Sequence, residues 1–184
     1  MNYYIDIKIK PDSDMRENQL MGLVFTKFHK ALVKIKSRKI GISFPNCSFK
    51  LGQILRLHGD KPDLILLKDL NWLGRLLSYC DVSDIQIVPT DAKYRTISRV
   101  RSKMNIAKLK RLKLRGSITT PDQEKKYKAK MFSQGLEDPY LDLKSSSTGQ
   151  VFRYFFRFNP IGNESITGLF DSYGLSKSAT IPWF

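Results

Sequence analysis

Residues 2–35, "NYYIDIKIKPDSDMRENQLMGLVFTKFHKALVKI", carry the reading on which the fold turns. "YYIDIKIK" alternates apolar and polar side chains and stops at Pro11, the pattern of a half-buried strand. Beyond it the period changes. Leu20, Val24, Phe28, Ala31, Leu32 and Ile35 recur at helical spacing and define a buried stripe, with Asp14 as the expected N-cap and Glu17 three residues on. Working outward, "KIGISFP" (39–45) reads as a second strand and "GQILRLHG" (52–59) as a third. "DLILLKDLNWLGRLLSYC" (63–80) reads as a second helix and "DIQIVP" (84–89) as a fourth strand. The order βαββαβ over residues 2–89 is the ferredoxin-like pattern, an antiparallel sheet with helices on one face. Many unrelated functions use that fold.

After Pro89 the character of the chain changes, and a boundary near residue 92 divides it into a ferredoxin-like domain (1–92) and a C-terminal region (93–184). The class is α+β. In the second part Thr120-Pro121 reads as a helix start. "YLDLKS" and "VFRYFFRF" read as short strands flanking "SSTGQ", and a further strand and a glycine turn are expected near the end. In "FRYFFRF" (152–158) Phe and Arg alternate, as in a base-stacking surface, although Phe156 and Phe158 are expected to face the core.

The 184 residues carry a net charge of +15, with 41% hydrophobic side chains, enough for a folded core. The excess is concentrated. Residues 1–90 contribute +5, residues 91–116 contribute +9 and residues 117–184 only +1. Within the middle stretch, "SRVRSKMNIAKLKRLKLRG" (98–116) has eight lysines and arginines and no Asp or Glu. On a helical wheel Lys108, Arg111 and Arg115 fall within about 60° of one another, with Ile106, Leu109 and Leu112 on another side. A solvated face normally mixes signs, so the row implies an external polyanion. The apolar side lacks the aromatic residues of a membrane-surface helix, which favours a nucleic acid. The start "MNYYIDIKIK" has neither an apolar h-region nor a cleavage site, and no apolar run is long enough to span a bilayer. A cytoplasmic protein with no membrane partner is expected.

Chemistry is sparse. Cys47 and Cys80 are too few for a disulfide framework or a metal site, and neither metal nor cofactor is expected. Of the two histidines, His58 ends the third strand and reads as structural or solvent-facing. His29 lies at the edge of the first helix's apolar stripe, beside Phe25. An imidazole there is able to take a proton from a ribose 2′-hydroxyl.

"KFHKAL", "IGISFP", "SRVRSK", "SSSTGQVFR" and the ending "SYGLSKSATIPWF" together resemble the CRISPR-associated endoribonuclease family of type I-F systems, from the first strand to the last residue. The resemblance implies a metal-independent nuclease that cuts precursor CRISPR RNA at the 3′ base of the repeat hairpin. It implies 2′,3′-cyclic phosphate and 5′-hydroxyl ends and retention of the product. The implied partners are that hairpin and other proteins of the type I-F effector complex. By resemblance, His29 takes the general-base position, Ser145 positions the 2′-hydroxyl with Ser147 in support, and Tyr173 orders the site. Phe152 matches a residue that stacks beneath the stem, and Arg99 a base-reading arginine in the linker before the basic helix. Where the family pattern has a glutamine two residues after that arginine, this chain has Arg101. Two helix arginines of the pattern fall at Leu112 and Gly116, leaving Arg111 and Arg115, with Lys108, as the helix's RNA-binding set. An arginine reads guanine through O6 and N7, so the shift implies a different hairpin sequence or register. The rival reading is a non-catalytic hairpin-binding protein of the same fold, for which His29, Ser145 and Tyr173 have no use as a set.

Overall fold

The computed structural model describes residues 1–100, 106–133, 138–145 and 148–184. The chain is a mixed α/β protein with antiparallel sheets. Its first part contains β1 (Tyr3–Ile9), α1 (Glu17–Ile35), β2 (Gly41–Ser43), β3 (Ile54–Gly59), α2 (Lys61–Asp69), a 3₁₀ turn (Gly74–Tyr79), β4 (Cys80–Val82) and β5 (Gln86–Ile87). These strands form one antiparallel sheet in the order β2-β3-β1-β4, with β5 pairing the start of β1.

Three expected elements differ. The first helix starts at Glu17 without a side-chain cap from Asp14. The Asp12 carboxylate instead accepts the N–H groups of Asp14 and Met15, closing a turn ahead of the helix. The helix expected over 63–80 stops at Asp69, because Asn71 and Gly74 are left-handed (φ 46° and 53°) and the chain resumes only as a 3₁₀ turn. The fourth strand arrives as two short pieces. Between them Ser83 Oγ accepts the Asp6 N–H, and the Ser83 N–H donates to the Asp6 carbonyl.

The second part contributes β6 (Lys93–Arg95), β7 (Ile97–Val100), α3 (Ile106–Leu114), α4 (Pro121–Ser133), β8 (Tyr140–Lys144), β9 (Val151–Phe158) and β10 (Ile181–Trp183). Strands β7-β9-β8 form a second sheet, and β10 pairs β6. Helix α4 starts at the expected Thr120-Pro121, where Thr120 Oγ1 accepts the Gln123 N–H and the Gln123 side chain accepts the Thr119 and Thr120 N–H groups. That reciprocal pairing satisfies otherwise orphaned donors.

One apolar core runs through both parts of the chain, joining Phe25, Phe28 and Ile42 to Ile97, Leu143, Phe156 and Ile181. Helix α1 is its pivot. Gly22 brings α1 so close to β8 that an added Cβ would sit 2.8 Å from the Asp142 carbonyl oxygen. One turn away, the Asn18 amide donates to the Tyr140 carbonyl and accepts the Asp142 N–H, both at 2.9 Å. A side-chain amide thus pairs with the edge strand as another strand would. This docking places the end of β8 beside the middle of α1.

Candidate active site

His29 leaves α1 into a cleft of about 370 Å³ that is also lined by Lys30, Lys144, Ser145, Phe152 and Tyr173. The imidazole is fixed from two directions. Its ring stacks on Tyr173 at 3.8 Å between centroids and 3° between planes. Its Nδ1 lies 2.8 Å from the Ser172 carbonyl oxygen. A carbonyl only accepts, so Nδ1 carries the proton and the neutral ring keeps its lone pair on Nε2.

Tyr173 is held by the turn 171–175. The Asp171 carboxylate accepts the N–H groups of Tyr173 and Leu175 at 2.8 and 3.0 Å. Gly174, left-handed at φ +72°, accepts the Ile42 N–H of β2 on its carbonyl oxygen. A Cβ there would meet Ile42 at 2.9 Å as well as adopt an unfavourable backbone. Phe25, one helical turn before His29, stacks on the far side of this arrangement against Tyr173. Burial raises the Tyr173 phenol's pKa, and Arg99 opposes that shift. The phenol is neutral at physiological pH.

Ser145 follows β8, and its Oγ accepts the Thr148 N–H at 3.2 Å while its backbone pairs with Gln150 and Gly149. The register Leu143↔Phe152 sets Phe152 beside it on β9, 37% exposed. Phe156 is fully buried and Phe158 packs against the core, as the alternation expects. Arg99 is not in a linker. It lies within β7, paired to Phe156, with its guanidinium 4.3 Å above the Tyr154 ring. Its Nε is buried without a hydrogen bond among the described residues. Arg101 and Ser147 lie outside the described residues.

The basic segment forms α3, where Lys108, Arg111 and Arg115 are exposed. Leu109 is buried, Leu112 half-buried and Ile106 exposed, so only part of the expected apolar side is covered. Lys113 of this segment is answered internally. Lys113 donates to Glu124 of α4, which also takes Lys128, and these hydrogen bonds pull the Glu124 carboxyl down to about 2. Helix α3 ends at left-handed Gly116, with Ser117 N–H reaching back to Leu112.

Several cleft residues escaped the sequence reading. Lys30 and Lys144 were legible only as surface lysines. Asp171 had a local signal, an aspartate three residues before glycine, but nothing tied that turn to His29. His58 is buried, which settles its position as structural. Among the described residues, no three His, Cys, Asp or Glu side chains gather as a metal site would require, and no helix is long and apolar enough to cross a membrane.

A basic helical face, and a cleft in which a histidine is fixed by the Ser172 carbonyl and the Tyr173 ring, are features an RNA-binding endonuclease would need. The family model described as CRISPR-associated protein (Cas_Csy4) matches residues 4–184, and the chain belongs to that family. It is 36% identical to the CRISPR-associated endonuclease Cas6/Csy4 of Pseudomonas aeruginosa over 187 residues, covering all of both chains. The same identity holds over 184 residues with the Cas6/Csy4 endonuclease of Escherichia coli, again covering both chains completely. Among solved structures, Thermus thermophilus Cse3 bound to an RNA representing a pre-cleavage complex matches at TM-score 0.40 and 12% identity, over 99% of this chain and all of that one.

Proposed function

We propose that this chain cuts precursor CRISPR RNA at the 3′ base of the repeat hairpin, without a metal, by attack of the adjacent ribose 2′-hydroxyl. The observation that carries the reading is the His29 tautomer, with Nδ1 committed to the Ser172 carbonyl and Nε2 left basic in the cleft. Nε2 takes the 2′-hydroxyl proton while Ser145 holds the ribose and Tyr173 keeps the imidazole in plane. The 2′-oxygen then bonds to phosphorus, the P–O5′ bond breaks, and the departing 5′-oxygen takes a proton from solvent. The products are a 2′,3′-cyclic phosphate and a 5′-hydroxyl. Lys30 and Lys144 supply positive charge beside the phosphate, where charge accumulates in the transition state.

Phe152 closes the base of the stem, and α3 with Arg99 and Arg101 carries the hairpin, which stays bound after the cut. Ser147 supports Ser145. The ferredoxin-like reading of residues 1–92 draws on the β2-β3-β1-β4 order, and residues 93–184 form the RNA-binding region. Contacts with other effector-complex proteins belong to the same reading.

The test joins two changes. A hairpin with one 2′-deoxy sugar immediately 5′ of the scissile phosphate should bind and resist cutting, with EDTA making no difference. His29→Ala should lower the single-turnover rate by about 10²–10⁴ and leave hairpin affinity within a few-fold. Normal cutting of the deoxy RNA would rule out intramolecular attack. A His29→Ala protein that cuts at full rate would remove His29 as the base, and a wild type that binds the unmodified hairpin without cutting it would favour the hairpin-binding rival.

A further inference from the structure

The His29 cleft does not end at Ser145. Thr26, Leu143 and Lys144 line both it and a second, larger groove of about 950 Å³. This groove runs between the N-terminal half of α1 and β8 and reaches Arg16 and the loop that carries Phe49 and Lys50. Gln53 donates to Glu17, which holds that loop at the start of α1. The groove is therefore a continuous extension of the cleft, not a separate cavity.

Its chemistry suits a single-stranded nucleic acid. Arg16, Lys50 and Lys144 have no ion-pair partner among the described residues. The acids on the same walls are engaged, Glu17 by Gln53 and Asp142 by Arg153 at 3.9 Å. The Phe49 ring is 98% exposed at the groove's wall, and the volume is within the range that encloses a sizeable ligand. Cations that track a backbone and an aromatic ring on which a base stacks are the two components of sequence-tolerant single-strand binding.

The geometry points to this groove as the binding site for the single strand of RNA immediately 3′ of the cut. The inference rests on the endoribonuclease reading above. In that reading the stem lies on the Phe152 side of His29, so a strand passing the base leaves the cleft beside Lys144. There it enters the groove, with its phosphates near Lys144 and Lys50 and a base on Phe49.

The test uses uncleavable hairpins carrying the single 2′-deoxy sugar, ending at the scissile phosphate or extended by tails of one to six nucleotides. Binding should tighten with tail length by about five-fold or more and then plateau, since one stacked base contributes at least about 1 kcal/mol. Phe49→Ala should remove most of that gain and leave the affinity of the tailless hairpin unchanged. Tail sequence should matter little. A tail that adds nothing on a hairpin that still binds overturns the groove alone. So does a gain that Phe49→Ala leaves intact, which would assign the tail to another surface. A tailless hairpin that fails to bind overturns the endoribonuclease reading, and the groove proposal falls with it.

Discussion

His58 and His29 are the same side chain given opposite tasks by their surroundings. His29 keeps a basic nitrogen in an open cleft. His58 is sealed in the sheet, with Nε2 2.7 Å from Ser43 Oγ, and burial followed by the Arg56 charge lowers its pKa to about 3. The sign of the resulting pH dependence is fixed. In the unfolded chain this ring takes a proton below about 6.5, whereas the folded protein refuses it until near 3, so the unfolded state binds more protons between those values. Stability therefore rises with pH from about 3 to about 6.5 and is then flat in this group. At pH 4.5 the wild type should have lost roughly 2 kcal/mol, relative to pH 7, beyond the loss in His58→Gln. Urea denaturation of both proteins at the two pH values reads the difference. Parallel losses would show that the imidazole is not the source. Neither role was fully legible from the residues alone. His29's place at the stripe edge was readable from periodicity. Its tautomer depends on a carbonyl 143 positions away, which no local pattern announces.

At the scale of elements, the cleft exists because α1 and β8 approach more closely than side chains allow. Gly22 and Asn18 make that approach, and both looked ordinary within the helical pattern, since a glycine inside a helix reads only as a weak point. Replacing Gly22 by Ala sets two effects against each other. Helix propensity gains about 1 kcal/mol. The new Cβ, 2.8 Å from a backbone oxygen that has no rotamer to yield, brings overpacking that typically costs about 1–3 kcal/mol. Overpacking should win, with a net loss of roughly 1 kcal/mol in chemical denaturation. Because β8 leads directly into Ser145, the proposed function expects the cleavage rate to fall while hairpin affinity, assigned there to α3, stays near wild type. A stabilised variant with normal cleavage would mean that β8 moves aside at no cost. The elements that were legible had their signals in short windows, such as the alternation in β1, the stripe of α1 and the Thr-Pro start of α4. The second helix was over-extended because Asn71 and Gly74 take left-handed conformations that an apolar run of leucines conceals.

At the scale of the whole molecule, two features divide the labour. The first sheet is covered on both faces. Leu55 and Leu57 point into the core, while Arg56, on the other face, forks onto Asp6 at 2.7 and 2.9 Å and packs over the rings of Tyr4 and Phe184. The expectation is a sheet with helices on one face, and this cover of the other face forms no part of it. The cover comes from residue 184, too far along the chain for a local pattern to reveal. The charge, by contrast, was legible from the start, because charge density needs no fold to be counted. It bears directly on RNA affinity. Arg111 and Arg115 stand exposed on α3, and Lys113 is paired to Glu124. Each phosphate contact contributes about 0.7–0.9 to the slope of log affinity against log salt. Arg111→Ala combined with Arg115→Ala should therefore weaken hairpin binding and flatten that slope by about one and a half. Lys113→Ala should change the slope less, since Lys113 is already committed to Glu124 rather than to a phosphate. The rate at saturating RNA should survive in both variants, because none of these three residues lines the His29 cleft. Titrations at several salt concentrations with single-turnover rates at saturation separate the two quantities. An unchanged slope in the double variant would take α3 out of the RNA surface. A loss confined to one hairpin sequence would instead make Arg111 or Arg115 a base reader.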